Sequence, residues 1–400
     1  MESVRAFIKN TKQVFSNTMA SPTPLTKANA IFSLDLLRKL SEDDNSANIF
    51  FSPFSISSAL AMVMLGARGN TAMQMSECLN TRECQDDVHA LFNQLLSGLN
   101  KSGGSFELSV ANRLYGEQSF QFLQEFLTET RKHYDAELES VDFITSHQEA
   151  RIRINNWVEK QTQGKIRDVV AEGVLNEMSR LVLVNAIYFK GTWNEPFLPY
   201  KTYDTDFKLN KNEKKKVKMM TQETHVPFAF IPEVNCQILE MPYKGKELSM
   251  LIFLPKDIED DTTGLEKLEK QLTYEKFMEW TGELTVTQVN VSLPRFKLEE
   301  TYDLNRVLTS MGMEDAFDEG KSDLSGMSGN KDLVLSKVTH KAFVEVNEEG
   351  TEAAAATSSF ITLKCATMMP YFYADQPFLF FIRHNATMSV LFAGRFCCPV

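Results

Sequence analysis

From Glu348 to Pro370 the chain reads EEGTEAAAATSSFITLKCATMMP, and this segment constrains the fold more than any other. As a helix it is alanine-rich but has no apolar stripe to bury. As a strand it has a two-residue alternation. One face carries Thr351, Ala353, Ala355, Thr357, Ser359 and Ile361, and the other carries Glu352, Ala354, Ala356, Ser358, Phe360 and Thr362. The first face is small and uncharged throughout, so the segment can slide between two strands already in place. Gly350 supplies a pivot at its start. Lys364 and Cys365 follow in a polar stretch that a protease can grip as an extended peptide.

The residues just upstream read as an ordinary strand, Val334–Asn347. Val334, Val338, Ala342, Val344 and Val346 share a face with Ser336 and His340; Lys337, Thr339, Lys341 and Glu345 take the other. The alternation turns His340 toward the apolar side, where a lone histidine usually serves as a hydrogen-bonded core residue. Ser52 and Ser55 stand near the start of FFSPFSISSALAMVMLGARGNT, Phe50–Thr71, where serine favours helix capping.

Several of these motifs together resemble the serpins, in particular the ovalbumin-like intracellular branch that includes the leukocyte elastase inhibitors. EEGTEAAAAT is similar to that family's hinge, with Glu349, Gly350, Thr351, Glu352, Ala353, Ala354, Ala355, Ala356 and Thr357 in order. LVLVNAIYFKGTW (Leu181–Trp193), Phe50–Thr71, Val289–Leu304 and ADQPFLFFIRHN (Ala374–Asn385) resemble the family independently. Counted along the family pattern, forward from Gly350 and back from ADQPFLFFIRHN, the resemblance implies a reactive bond at Lys364–Cys365.

The resemblance implies an α+β serpin fold: three β-sheets, about nine helices and an exposed reactive-centre loop over 348–370. It implies one domain over 19–400; 1–18 lie upstream of it as an N-terminal extension expected to be flexible or an alternative start, and Phe7, Ile8, Val14 and Phe15 with Arg5, Lys9 and Lys12 allow it a weak amphipathic helix. Ser52, Ser55, Asn185 and His340 match the shutter, a hydrogen-bonded cluster that holds two central strands together and re-pairs when they part. The implied activity is suicide-substrate inhibition of a serine protease, which becomes covalently held as an acyl complex. Insertion of the loop into a sheet is an established case of strand addition. Lysine at 364 points to a trypsin-like target. The alternatives are an elastase-, chymotrypsin- or papain-like protease using Phe360, Leu363 or Cys365, or a non-inhibitory serpin whose loop does not insert. The uncharged inserting face favours inhibition. A monomer is expected, with loop-sheet polymerisation open to it.

The remaining features exclude more than they add. No G-x-S-x-G, Walker A, H-E-x-x-H or dinucleotide fingerprint is present, so the chain does not read as an enzyme. Its 6 cysteines and 6 histidines lack ligand spacing, and neither metal nor cofactor is expected. A net charge of −11 argues against nucleic acid or heparin as partner, and the helix suggested by Leu91, Leu95 and Leu96 has no basic face. No run spans a bilayer; Ile56–Ala67 is the best and it is interrupted. MESVRAFIKNTKQVFSNTM has no signal-like apolar stretch. We therefore expect a cytoplasmic or nucleocytoplasmic location, with non-classical release to the extracellular space as the resemblance implies. Cys365, next to a lysine on an exposed loop, is either an inert thiol or an oxidation switch on the bait.

Elsewhere the pattern predicts strands at Phe106–Gly116 and Glu247–Pro255 and helices at Arg151–Thr162 and Asp260–Met278. The basic run Lys211–Lys218 reads as a solvated turn, and 315–330 as loop.

Overall fold

In a computed structural model of the protein, the structure describes residues 22–84, 87–100, 106–351 and 369–399. The extension 1–18 lies outside them. So do 352–368, and with them the reactive bond Lys364–Cys365, the alternative positions Phe360 and Leu363, and the hinge residues Glu352, Ala353, Ala354, Ala355, Ala356 and Thr357.

The smaller sheet holds β2 (Phe106–Glu117), β3 (Leu138–Val141), β4 (Leu181–Thr192), β10 (Phe296–Asp303), β11 (Leu335–Val346) and β12 (Gly350–Thr351). Its order is β10-β11-β4-β2-β3, with β12 paired to β4. β4 and β11 are parallel neighbours, held in register from Leu335 against Leu181 up to Phe343 against Tyr188.

The larger sheet holds β1 (Ile49–Phe51), β5 (Tyr203–Lys208), β6 (Lys214–Ile231), β7 (Cys236–Pro242), β8 (Leu248–Pro255), β9 (Thr285–Pro294), β13 (Tyr371–Tyr373), β14 (Phe378–His384) and β15 (Ser389–Phe396). β6 is 18 residues long and pairs with β5, β7 and β9. The second and third sheets of the expected arrangement are thereby hydrogen-bonded into one nine-stranded sheet. Ten α-helices surround the sheets among the described residues, the first of them α1 (Pro24–Asp43).

The run Phe50–Thr71 is not one element. Phe50 and Phe51 belong to β1, Ser52 caps α2 (Pro53–Met64), and a separate helix starts at Gly69. Residues 53–63 of α2 are all buried, and its buried hydroxyls have partners: Ser57 Oγ donates to Asn29 Oδ1 (2.8 Å) and Ser58 Oγ to the Ser55 carbonyl (3.0 Å). This helix supports the smaller sheet from behind. On the opposite side, the helix Phe143–Gln161 and the strap after it pack onto the same sheet, sharing a core of Ala111, Tyr115, Val182, Val184, Tyr188 and Phe343.

That cover corrects the reading of β11. Thr339, Lys341 and Phe343 are buried as well as Val338, His340 and Ala342. Lys341 reaches the Arg167 carbonyl at 2.8 Å and Glu299 at 3.0 Å. The basic run is also corrected: Lys214–Lys218 are strand, not turn, and their strand pairs with β5. Lys216 and Lys218 face Asp206 and Asp204 at 2.6 and 2.9 Å. Alternating charge on two exposed, adjacent strands stabilises the pairing there.

Candidate functional site: a seam, its lock and its hinge

The seam between β4 and β11 carries a row of polar side chains at one level. Asn112 of β2 pairs with Asn185 of β4, Asn185 with His340 of β11, and His340 with Tyr302 of β10. Ser52 and Ser55 enter from α2 below. The Ser52 N–H donates to His340 Nε2 at 3.1 Å. Nε2 is therefore the acceptor, and Nδ1 carries the proton toward Asn185 Oδ1. Asn185 Nδ2 donates to Ser55 Oγ at 2.6 Å and to Asn112 Oδ1. Ser52 Oγ accepts the Ser55 N–H at 3.1 Å and donates to the Leu391 carbonyl at 2.6 Å. Ser52 is thus both helix cap and cluster member. Complete burial pushes His340 down to about 3, so its ring is neutral.

All four residues expected together do meet. Two more belong with them. Asn112 interrupts the apolar face Leu108–Val110–Leu114 of its strand, the same signal that marked His340. Tyr302 stacks on His340 with ring centroids 6.3 Å apart, and its hydroxyl accepts the Phe50 N–H at 3.1 Å.

Above the seam the chain reverses. Asn347 and Gly350 exchange backbone hydrogen bonds of 2.8 and 3.2 Å. Gly350 has φ +135°, and a Cβ there would stand 2.3 Å from the Gly191 carbonyl oxygen. Only glycine fits so close a backbone approach. β12 then starts down beside β4, with Gly350 opposite Thr192 and Thr351 opposite Gly191. Glu348 and Glu349 are tied in place around it. The Phe197 and Trp193 N–H groups donate to their carbonyls at 2.7 and 2.8 Å. Thr202 Oγ1 donates to Glu348 Oε1 at 2.7 Å, and Arg295 lies 3.5 Å from Oε2. Trp193 Nε1 donates to the Asn347 carbonyl at 3.1 Å, and its ring stacks on Tyr243 at 4.7 Å.

The site thus joins a buried polar row across the β4–β11 pair to a glycine reversal that brings Gly350 and Thr351 alongside β4. The sequence pattern described as Serpin (serine protease inhibitor) matches residues 27–399.

The chain is a serpin.

Two relatives, the leukocyte elastase inhibitors of Equus caballus and Homo sapiens, are 54% and 53% identical, each match covering 94% of this chain and 99% of the relative. Crystal structures of maspin and of uncleaved ovalbumin are similar to this serpin with TM-scores of 0.86 and 0.85, at 36% and 35% identity. Each covers 94% of this chain, and 98% and 100% of the maspin and ovalbumin chains. The serpin family is one of protease inhibitors rather than enzymes. Of the residues expected to form the hinge, the structure describes Glu349, Gly350 and Thr351. Among the described residues no cluster of His, Cys, Asp and Glu is arranged to hold a metal ion. No helix among them is long and apolar enough to cross a membrane.

Proposed function

We propose that this serpin traps serine proteases by inserting its cleaved loop between β4 and β11. The observation that carries this reading is the register of β12. Thr351 pairs with Gly191, and carrying that pairing down β4 sets Ala353, Ala355 and Thr357 opposite Phe189, Ile187 and Asn185. Opposed residues of an antiparallel pair share a face, so the small, uncharged face of the loop would be the one that enters the core. Thr357 would arrive at the shutter, bringing a hydroxyl where Asn185 and His340 lose each other. Glu352 and Phe360 would fall on the other face, toward the helix Phe143–Gln161 and its strap.

The energetics support the reading. About ten new ladder bonds at ~1 kcal/mol net each supply roughly 10 kcal/mol, comparable with the ~5–15 kcal/mol of a whole domain. The starting fold is then held by a barrier, the closed β4–β11 pairing, rather than by equilibrium. About fourteen inserted residues at ~3.3 Å each carry an attached protease roughly 46 Å. Distorting its active site blocks deacylation, since small misplacements cost ~100-fold in rate.

The names of the relatives favour an elastase-like target. An elastase-like pocket is small, and Cys365 is the small residue at the bait, which makes Cys365–Ala366 the bond for that class. Lys364 supports the second reading, a trypsin-like enzyme cutting Lys364–Cys365. One experiment separates them. The serpin is mixed with leukocyte elastase and, separately, with trypsin; adducts are resolved in SDS and the released C-terminal peptide is weighed. A peptide of residues 366–400 supports the elastase-like reading and one of 365–400 the trypsin-like reading. Complete cleavage with no adduct to any protease contradicts trapping altogether.

A further inference from the structure

We infer that the exposed tyrosines where the loop rejoins the fold, Tyr371 and Tyr203, form a second docking surface for the protease held at the loop. The inference rests on the trapping function proposed above and adds a surface outside the bait.

The sheet places the two rings on one side. Tyr371 and Tyr373 of β13 pair with Asn290 and Ser292 of β9, which pair with Glu223 and Thr221 of β6. Tyr203 of β5 pairs with Met219 two residues along β6. Residues opposed across neighbouring strands point to the same face, and so do residues two apart along a strand. Tyr371, Tyr373 and Tyr203 therefore share a face. A polar floor connects them: the Tyr373 hydroxyl meets Thr205 Oγ1 at 3.3 Å, and Thr221 Oγ1 meets Ser292 Oγ at 3.1 Å. Yet Tyr371 remains 66% exposed and Tyr203 44%, with Tyr200, 79% exposed, on the turn leading into β5. These are stiff, amphipathic rings with little entropy left to lose, the residue type that anchors protein interfaces.

The chain itself names the occupant. The segment outside the described residues ends at 368, and the described chain resumes at Met369, just before β13. Lys364 and Cys365 are five and four residues before Met369. At ~3.3 Å per residue the cut bond is at most roughly 17 Å of chain from Met369. A folded domain of about 200 residues has a radius of gyration near 16 Å. An enzyme with its active site on that bond is large enough to reach β13 and the face that carries Tyr371.

The test is the second-order association rate of the double variant Tyr203→Ala/Tyr371→Ala with leukocyte elastase and with trypsin, followed by adduct formation. The expected result is association at least tenfold slower with the protease that the wild type traps, at unchanged inhibition stoichiometry and unfolding midpoint. That pattern separates docking from insertion, because a damaged fold or a slowed insertion raises the stoichiometry. An unchanged rate, within twofold, overturns the docking surface while leaving the trapping function intact. A change confined to self-association, seen by sedimentation, assigns the face to a second copy of the chain and likewise overturns it. A wild type that forms no adduct removes both proposals together.

Discussion

Asn185 and His340 face each other across the β4–β11 seam, one on each strand, joined side chain to side chain beneath the line along which the hinge points. On the proposed insertion, a strand entering the seam from Thr351 would have to separate them, and the bond between them would form part of the barrier that keeps the loop outside.

Removing one partner lowers that barrier. His340→Ala leaves Asn185 Oδ1 and the Ser52 N–H without their buried partner. Each orphaned group costs about 1–3 kcal/mol. The expected outcome is a shorter native half-life at fixed temperature and faster appearance of polymers on native gels. Asn185→Ala should act in the same direction, and the double variant should cost less than the sum of the two, since they share one bond.

The same histidine makes stability depend on pH. Its folded value of about 3 lies below the ordinary 6.5, so the native state favours the neutral ring. That contribution is complete above pH 6.5 and is lost as pH falls toward 3. His89, pushed down by burial to about 4, has the same sign. Glu300 opposes them: burial raises it to about 7, so its contribution is present below pH 4.5 and lost as pH rises through 7. Measured as unfolding rate against pH, the wild type should weaken most steeply below pH 4.5, where Glu300 no longer offsets the histidines and carboxylates held below their ordinary range by hydrogen bonds and lysine partners, Asp323 among them, add to the loss. Glu300→Gln should slow unfolding at pH 8 and leave the acid limb unchanged.

Gly350→Ala tests the hinge. The added methyl would meet the Gly191 carbonyl oxygen at 2.3 Å, at a φ that disfavours any side chain. A residue forced into such backbone costs of the order of 1–3 kcal/mol. β12 should detach from β4, and the Trp193 amide, which donates to the Glu349 carbonyl, should lose hydrogen-exchange protection. Protection equal to the wild type contradicts this account of Gly350.

Much of this site can be read along single strands. The alternation of Val334–Asn347 turned His340 inward, and the structure has Leu335–Val346 as that strand with His340 fully buried. The small face that begins at Thr351 lies, beyond that residue, outside the described residues. What the alternation hides is anything set by a second layer. Lys341 looks solvent-facing in its own strand, but the helix Phe143–Gln161 and its strap come from a distant part of the chain and bury it. Asn112 and Tyr302 join the lock only because β2 and β10 are neighbours of β4 and β11, and no strand's own residues state its neighbours. The lysines of 214–218 look like a turn because exposed strands on a sheet surface can be as polar as loops.

The most direct measurement of the whole account is made on Thr351→Arg. The substitution puts a long charged side chain on the face that would enter beside Gly191 and above Phe189, while leaving Lys364 and Cys365 untouched. Mixed with the protease that the wild type traps, the variant should be cleaved at the same bond and release active enzyme, with little or no SDS-stable adduct. If the variant instead forms the adduct with wild-type yield and stoichiometry, insertion along the β4–β11 seam is not how this protein holds its target.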